Sequence, residues 1–329
     1  MKEFDLMRPK EAYDAVLLQR EKDGIAFSSK YKDKFVDINC PACGSKADKA
    51  FEKYGFAHKA CGRCGTLFCS PRPDDSLLGT YYNGYEAPKM WTKLLVKADK
   101  SRKALQYAPR AQMIADMMKN CGKTNGGIAV DMGAGSGAFS IALKNTGFFS
   151  DVIALDFSLD CVEECKRSGL SARLGTATDL GNSSADLICM NDLVEHLFEP
   201  FSFLKECARA LRPGGIVSIA TPNGQGFDFK ILKEKTKNIT PPEHLNYFNP
   251  DSLSALLDKA GFETISAETP GILDVDIILN EKKAGFPLKD RNEYLDGLLE
   301  LDEKVRSSFQ RFLSDNGLSS HMLVLARKK

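Results

Sequence analysis

From residue 103 to residue 270 the chain alternates short apolar runs with stretches of helical period. Ile114, Met117, Met118 and Cys121 fall three and four apart, which predicts a helix ending near Gly122. Ile128–Val130 reads as a short buried strand, and Phe139–Leu143 opens a helix. The pattern continues with a strand in "VIALDFS" that ends at Asp156, a strand in "DLICMND" (186–192) and a helix in "FSFLKECARAL" (201–211). "RPGG" then turns into the strand "IVSIA" (216–220). "DSLSALLDKAGF" is a helix capped by Asp251 and closed by Gly261, followed by the strand "FETISAE". Strands alternating with helices imply an α/β doubly wound sheet that binds its ligand at the carboxyl ends of the strands. "HMLVLARK" (321–328) reads as a terminal strand. Before it, Leu295, Leu298, Leu299, Leu301 and Val305, and then Phe309–Leu313, keep a helical period, so 271–320 is expected to be a helical insertion serving as a lid or a dimer surface.

The domain plan that follows is an N-terminal segment 1–39, a cysteine module 40–75, a Tyr-rich linker 76–104, a core 105–270, the insertion 271–320 and a final core strand 321–329. A net charge of +1 provides no global field for nucleic acid or an acidic membrane, and no apolar run is long enough to span a bilayer. The acid-containing start lacks a small-residue cleavage site, and Cys121, Cys161, Cys165, Cys189 and Cys207 are scattered rather than paired. Both point to a reducing, cytoplasmic setting.

Four other cysteines do pair. Cys40-x-x-Cys43 and Cys61-x-x-Cys64 are separated by seventeen residues, and each pair is followed by a glycine, Gly44 or Gly65. Glycine-closed knuckles turn backbone N–H groups toward sulfur, and four thiolates suit a closed tetrahedral zinc. Such turns bury little, so the expected metal is structural and supplies folding energy to a small zinc ribbon. His58 and Cys69 lie close by and are expected to be bystanders.

In "IAVDMGAGSGAFSIAL" the residues Gly133, Gly135 and Gly137 form a tight turn between strand and helix, which brings backbone N–H groups and a helix N-terminus against a ligand. From Gly133 to Ala138 the segment also fits the dinucleotide fingerprint, which leaves a nicotinamide dehydrogenase as one reading. Asp131 ends the preceding strand, where a carboxylate meets an ammonium well and a pyrophosphate badly. Asp156 suits two ribose hydroxyls, and Phe157 suits an adenine face.

"VDMGAGSG", "ALDFS", "MNDLVEHL" and "LRPGG", in this order and at these gaps, resemble a class I S-adenosylmethionine-dependent methyltransferase over roughly 105–270. The resemblance implies a Rossmann-like sheet whose last strand runs antiparallel between its predecessors. It implies that Asp131 and the glycine turn hold the methionine part of S-adenosylmethionine, that Asp156 takes the ribose, and that Asn191 and Asp192 line the methyl-transfer side. Thr176 stands where many relatives have an acid for the adenine amino group, so the backbone at Ala177 and Thr178 is expected to read adenine. The zinc module, the Pro-rich "SPRPDD", the Tyr-Tyr segment and "EHLNYF" add a similarity to sugar-tailoring methyltransferases. Relatives that methylate carbon carry a long further carboxyl-terminal domain, and this chain stops short of one, so O-methylation is favoured over C- or N-methylation.

A hydroxyl acceptor must lose a proton, and neutral imidazole is the natural base at pH 7. His244 in "PPEHLNYF" lies between the fifth strand and the next helix, at the ligand face, and the resemblance places this Glu-His pair near the substrate. His244 is therefore the expected base, Glu243 the group that orients it or the substrate, and His196 a second candidate. The expected acceptor is a small molecule or sugar-linked compound, with no nucleic-acid partner, no membrane span and an open prospect of a homodimer. RNA methylation and a non-catalytic cofactor-binding scaffold are the rival readings. "KILKEKTK" (230–237), the best basic run, is broken by Glu234 and argues against RNA.

Overall fold

The computed structural model describes residues 9–329, with backbone alone at 97 and 99–103. The first eight residues of the N-terminal segment lie outside the described residues. In chain order the elements are α1 (Lys10–Tyr31), β1 (Asp48–Lys53), β2 (Phe56–Ala60), β3 (Leu67–Cys69), α2 (Asp75–Gly84), α3 (Glu86–Arg102), α4 (Ala108–Asn120), β4 (Ile128–Met132), α5 (Ala138–Asn145), β5 (Asp151–Asp156), α6 (Leu159–Arg167), β6 (Ser171–Leu174), β7 (Ala185–Asn191), α7 (Pro200–Ala210), β8 (Leu211–Pro222), α8 (Phe227–Leu232), β9 (Asn246–Tyr247), α9 (Pro250–Ala260) and β10 (Phe262–Glu268). Helices α10 (Asp274–Lys283), α11 (Leu288–Arg291), α12 (Glu293–Glu300) and α13 (Glu303–Asp315) precede β11 (His321–Lys328).

The main sheet has the order β10-β11-β8-β7-β4-β5-β6. β4, β5, β6, β7 and β8 pair in parallel, while β11 lies antiparallel between β8 and β10. This is the α/β Rossmann-like architecture the alternation implies. The apolar runs occupy its buried centre: Val130, Ile188, Met190, Val217, Ile219 and Val324 lie in one core cluster. A second sheet, β1-β2-β3-β9, forms the cysteine module, and its fourth strand comes from the far side of the chain. Leu67 pairs with Tyr247 and Phe68 with Asn246, so the module and the segment after His244 share one ladder.

Several local expectations change. Residues 76–104, read as a linker, are the helices α2 and α3. Asp74 starts α2, its side chain accepting from the Leu77 N–H at 2.9 Å. Strand β8 already begins at Leu211, running through "RPGG" with a bulge opposite β7. Asn249, not Asp251, caps α9: its side chain accepts from Ser252 N–H while the Ser252 hydroxyl accepts from Asn249 N–H. Gly261 closes that helix at φ 98°, as expected. The insertion is helical, and Val275, Ile278, Leu295, Leu299 and Leu313 give it its own small core.

One buried ion pair ties α1 to the loop that precedes β9. Arg20 on α1 donates from Nε to Glu243 Oε1 at 3.0 Å and from Nη2 to Oε2 at 2.5 Å. The Tyr81 hydroxyl donates to the same carboxylate at 3.3 Å, and the guanidinium lies 4.4 Å from the Trp91 ring centre. The planar, two-pronged geometry fits arginine and not lysine. Removing one partner strands the other's charge away from water, which costs about 3–5 kcal/mol. Arg20→Ala is therefore expected to lower unfolding free energy by about that amount in urea titration. The Arg20→Met, Glu243→Leu pair is expected to recover most of it, and equal destabilisation of single and double variants counts against a pair that acts as a unit.

Candidate functional site

A cavity of about 480 Å³ opens at the carboxyl ends of β4, β7 and β8. Its floor carries Asp131 and the turn Gly133–Ser136; its walls carry Asn191, Asp192, Glu195, His196 and His244. Tyr13 and Arg20 from α1, Trp91 from α3, and Leu273 and Ile277 from the insertion close the far end. The insertion thus contributes directly to the wall of the cavity, where a lid belongs. Asp274 anchors it: Oδ2 accepts from the Ser319 hydroxyl at 2.5 Å and Oδ1 from Ser320 N–H at 2.6 Å.

The glycine turn shows why no other residue serves. Gly133, Gly135 and Gly137 all have positive φ, at 71°, 55° and 77°. At Gly137 a β-carbon would sit 2.5 Å from Leu170 Cδ1, so the turn also needs glycine for close packing. Asp131 is buried and accepts from the Ser140 hydroxyl at 2.6 Å. Burial pushes its pKa up to about 7. Asp156 is buried too: Oδ2 accepts from Gly135 N–H at 2.9 Å and Oδ1 from Ser158 N–H at 2.8 Å. It braces the turn with those bonds, and burial raises its pKa.

Asp156, Phe157, Ala177 and Thr178 are not among the residues lining the cavity. Phe157 is 60% exposed, with its ring centre 5.9 Å from that of Tyr82. Ala177 is buried, and Thr178 is exposed, its hydroxyl 2.8 Å from that of Thr176. Asp179, the nearest acid, is spent on the Thr176 N–H at 2.7 Å. Asn191 Oδ1 accepts from Arg110 Nη1 at 2.5 Å, which brings a cation to the cavity that the sequence reading did not single out. An arginine in the first turn of a helix carries no local signal of this. It becomes meaningful only when α4 packs beside the sheet.

His244 has its ring fixed. Nδ1 lies 2.9 Å from the Asn238 carbonyl, so Nδ1 carries the proton and Nε2 is the basic nitrogen. Burial, with His196 and Arg20 nearby, holds its pKa well below the usual imidazole range. His196 packs edge-on to it with ring centres 4.8 Å apart, and its Nδ1 lies 2.8 Å from the Tyr82 hydroxyl. Burial lowers the His196 pKa as well. Glu243 does not orient the imidazole: Arg20 and Tyr81 take its carboxylate, because the loop turns that side chain toward α1. The acid beside the two rings is Glu195, whose Oε2 accepts from the Thr221 hydroxyl at 2.8 Å. Its Oε1 is buried with no hydrogen-bond partner among the described residues, and burial holds the carboxyl well above its ordinary range. Donor atoms of Glu195, His196 and His244 lie within 4.8 Å of one another.

The cysteines also converge. Cys40 and Cys64 sulfurs are 3.5 Å apart, as are those of Cys43 and Cys61, and all four lie within 4.8 Å. A tetrahedral ion with bonds of about 2.3 Å requires sulfurs about 3.8 Å apart. Backbone N–H groups of Ala42 and Cys43 face the Cys40 sulfur, and that of Thr66 faces Cys64. The cluster is consistent with a zinc ribbon. His58 and Cys69 form a separate buried pair, Nε2 to Sγ 3.2 Å. Burial lowers the His58 pKa to about 3 and raises that of Cys69 to about 12, so this pair is neutral and inert as a nucleophile.

Residues 104–267 match the family described as a methyltransferase domain. A probable S-adenosylmethionine-dependent methyltransferase of Mycolicibacterium smegmatis is 36% identical over 84 residues, covering 26% of this chain and 31% of that one. A ubiquinone biosynthesis O-methyltransferase of Methylococcus capsulatus is 34% identical over 163 residues, covering 42% of this chain and 65% of that protein. The chain thus spans about a third of the mycobacterial relative's length. A putative methyltransferase solved with the Trm112 activator of Haloferax volcanii shares the fold at a TM-score of 0.50 and 18% identity, over 73% of this chain and 95% of that one. Residues 104–267 are therefore a class I S-adenosylmethionine-dependent methyltransferase domain.

Proposed function

We propose that this protein methylates a hydroxyl of a small-molecule acceptor, a sugar or sugar-linked compound, with His244 as the base. One observation supports this most: an imidazole with Nδ1 tied to Asn238 lines the same cavity as Asp131, the glycine turn and Asn191. S-adenosylmethionine, when bound, supplies an electrophilic methyl group. Asp131 and the glycine turn hold its ammonium-bearing end, and Arg110 offers a cation to its carboxylate. Asp156 faces the ribose. Nε2 of His244 takes the acceptor proton, so a hydroxyl reacts as the stronger nucleophile. The walls from α1, α3 and the insertion exclude water and align the acceptor, which accounts for much of a displacement reaction. Trp91, with Arg20 on one ring face, and Tyr13 give the wall apolar aromatic surface beside polar groups suited to a sugar's hydroxyls.

Zinc belongs to the same proposal, as a structural ion. Four sulfurs within 4.8 Å of one another fill a closed set, and the backbone N–H groups turned toward Cys40 and Cys64 suit thiolates bound to a cation. Cys40, Cys43, Cys61 and Cys64 would hold it, and its chemistry is confined to folding the ribbon.

Three outcomes are expected. His244→Ala lowers turnover about 10²–10⁴-fold with cofactor affinity near normal. His244→Gln restores little, and near-wild-type turnover in that variant would sink the base role. The acidic limb of the rate profile lies below pH 6.5 because the imidazole pKa is depressed.

S-adenosylmethionine affinity, measured by calorimetry, should weaken as pH falls below 7. Asp131 takes up a proton there and must release it to meet an ammonium, about tenfold per unit once protonated. Asp131→Asn is expected to bind weakly and without that slope.

Purified protein is expected to carry one zinc per chain by metal analysis. Because β3 pairs with β9, Cys61→Ser is expected to lower methyl transfer as well as unravel the ribbon. Full turnover in a zinc-free variant contradicts that coupling.

A further inference from the structure

The group that holds His244 is itself held. Asn238, whose carbonyl accepts from His244 Nδ1, donates from its side-chain amide to Asp228 Oδ2 at 2.7 Å. The Thr236 hydroxyl donates to the same oxygen at 2.5 Å and accepts from Asn238 N–H at 3.3 Å. Asp228 N–H donates to Ser320 Oγ at 2.9 Å, at the root of β11. Two donors of one turn therefore meet on one carboxylate oxygen, while the backbone of the same residue is tied to Ser320, and the turn at 236–238 is pinned from behind.

Asp228 is fully buried, and its Oδ1 has no hydrogen-bond partner among the described residues. As a purely structural filler a fully buried carboxyl is a costly choice: burial disfavours its charged form, and the hydrogen bonds from Ser320, Thr236 and Asn238 work against that cost. What the carboxylate does supply is a single acceptor on which two donors of one turn converge. The charged neighbours are Asp274 from α10 and, on the other side of Thr236, Lys53, whose Nζ donates to the Thr236 carbonyl at 2.8 Å. Around His244 the corresponding groups are His196, Arg20 and Asp192.

We propose that Asp228 is a positioning residue: it fixes the 236–238 turn so that the Asn238 carbonyl holds His244 in the Nδ1–H form, with Nε2 as the basic nitrogen. The role rests on the reading of His244 as base. It differs from that reading in acting at a distance, through backbone.

The test combines spectroscopy with kinetics on the full-length protein. In ¹⁵N-histidine NMR the wild type is expected to show His244 protonated at Nδ1, and Asp228→Asn to show a mixture of tautomers. Asp228→Asn is expected to lower kcat by up to about 10²-fold with KM and cofactor affinity little changed. In a His244→Gln background it is expected to cost nothing further, whereas a merely structural role gives additive losses. If Asp228→Asn does not fold, Asn238→Ala, which keeps the carbonyl and removes the gripped amide, is expected to give the same tautomer mixing and non-additivity. An unchanged His244 tautomer overturns the proposal whatever the rates do. Loss of turnover in His244→Gln together with wild-type behaviour in both other variants overturns the positioning role and leaves the base role standing. High turnover in His244→Gln removes both.

Discussion

The segment 241–248 is gripped from two sides, and the site depends on that grip. On one side Arg20 and Tyr81 bind the Glu243 carboxylate. On the other, Asn246 and Tyr247 complete the ribbon's sheet, and Cys69 N–H donates to the Leu245 carbonyl at 2.9 Å. His244 sits between these anchors. Its backbone N–H reaches the Thr240 carbonyl at 3.2 Å, and its carbonyl accepts from the Tyr247 hydroxyl at 3.0 Å. A loop residue with so many restraints has little conformational entropy left to lose on further contact, which is the physical meaning of preorganisation. Burial keeps its ring neutral, with His196 and Arg20 acting in the same direction, and the opposing pull of Asp192 is too small to repay the loss of water.

Much of the sheet could be read from sequence because its strands are continuous apolar runs bounded by glycine or acid, and their burial follows directly from that pattern. The glycine turn was equally legible, because its positive φ angles demand that residue. The parts that could not be read depend on contacts between distant residues. Arg20 and Glu243 are 223 positions apart, and nothing near either names the other. Residues 76–104 looked like a linker because the apolar positions of α3 are few; Leu94 and Trp91 become a helix face only against Tyr13 and Val16 of α1. Adjacency misled in the same way at Glu243: neighbours in sequence, the two side chains of the Glu-His pair face different partners.

The two ends of the ligand site differ in character. At the cavity floor Asp131 is buried and the turn 133–136 is half-buried, whereas Phe157 and Thr178 meet solvent. Hydrogen bonding by Asp156 to Gly135 links the two, so the residue expected to face a ribose also sets the shape of the turn. A change there would alter both ligand contact and backbone, and its effect on affinity cannot be divided into separate shares.

The shared ladder has a consequence for where this molecule can be divided. Residues 104–267 carry the methyltransferase resemblance, yet the partner strand of Asn246 and Tyr247 is supplied by Leu67 and Phe68, well before that segment starts. A fragment cut to the resemblance would present a bare β-edge next to His244, inviting pairing with other chains. The segment recognised by sequence similarity therefore leaves out a strand with which the structure pairs one of its own.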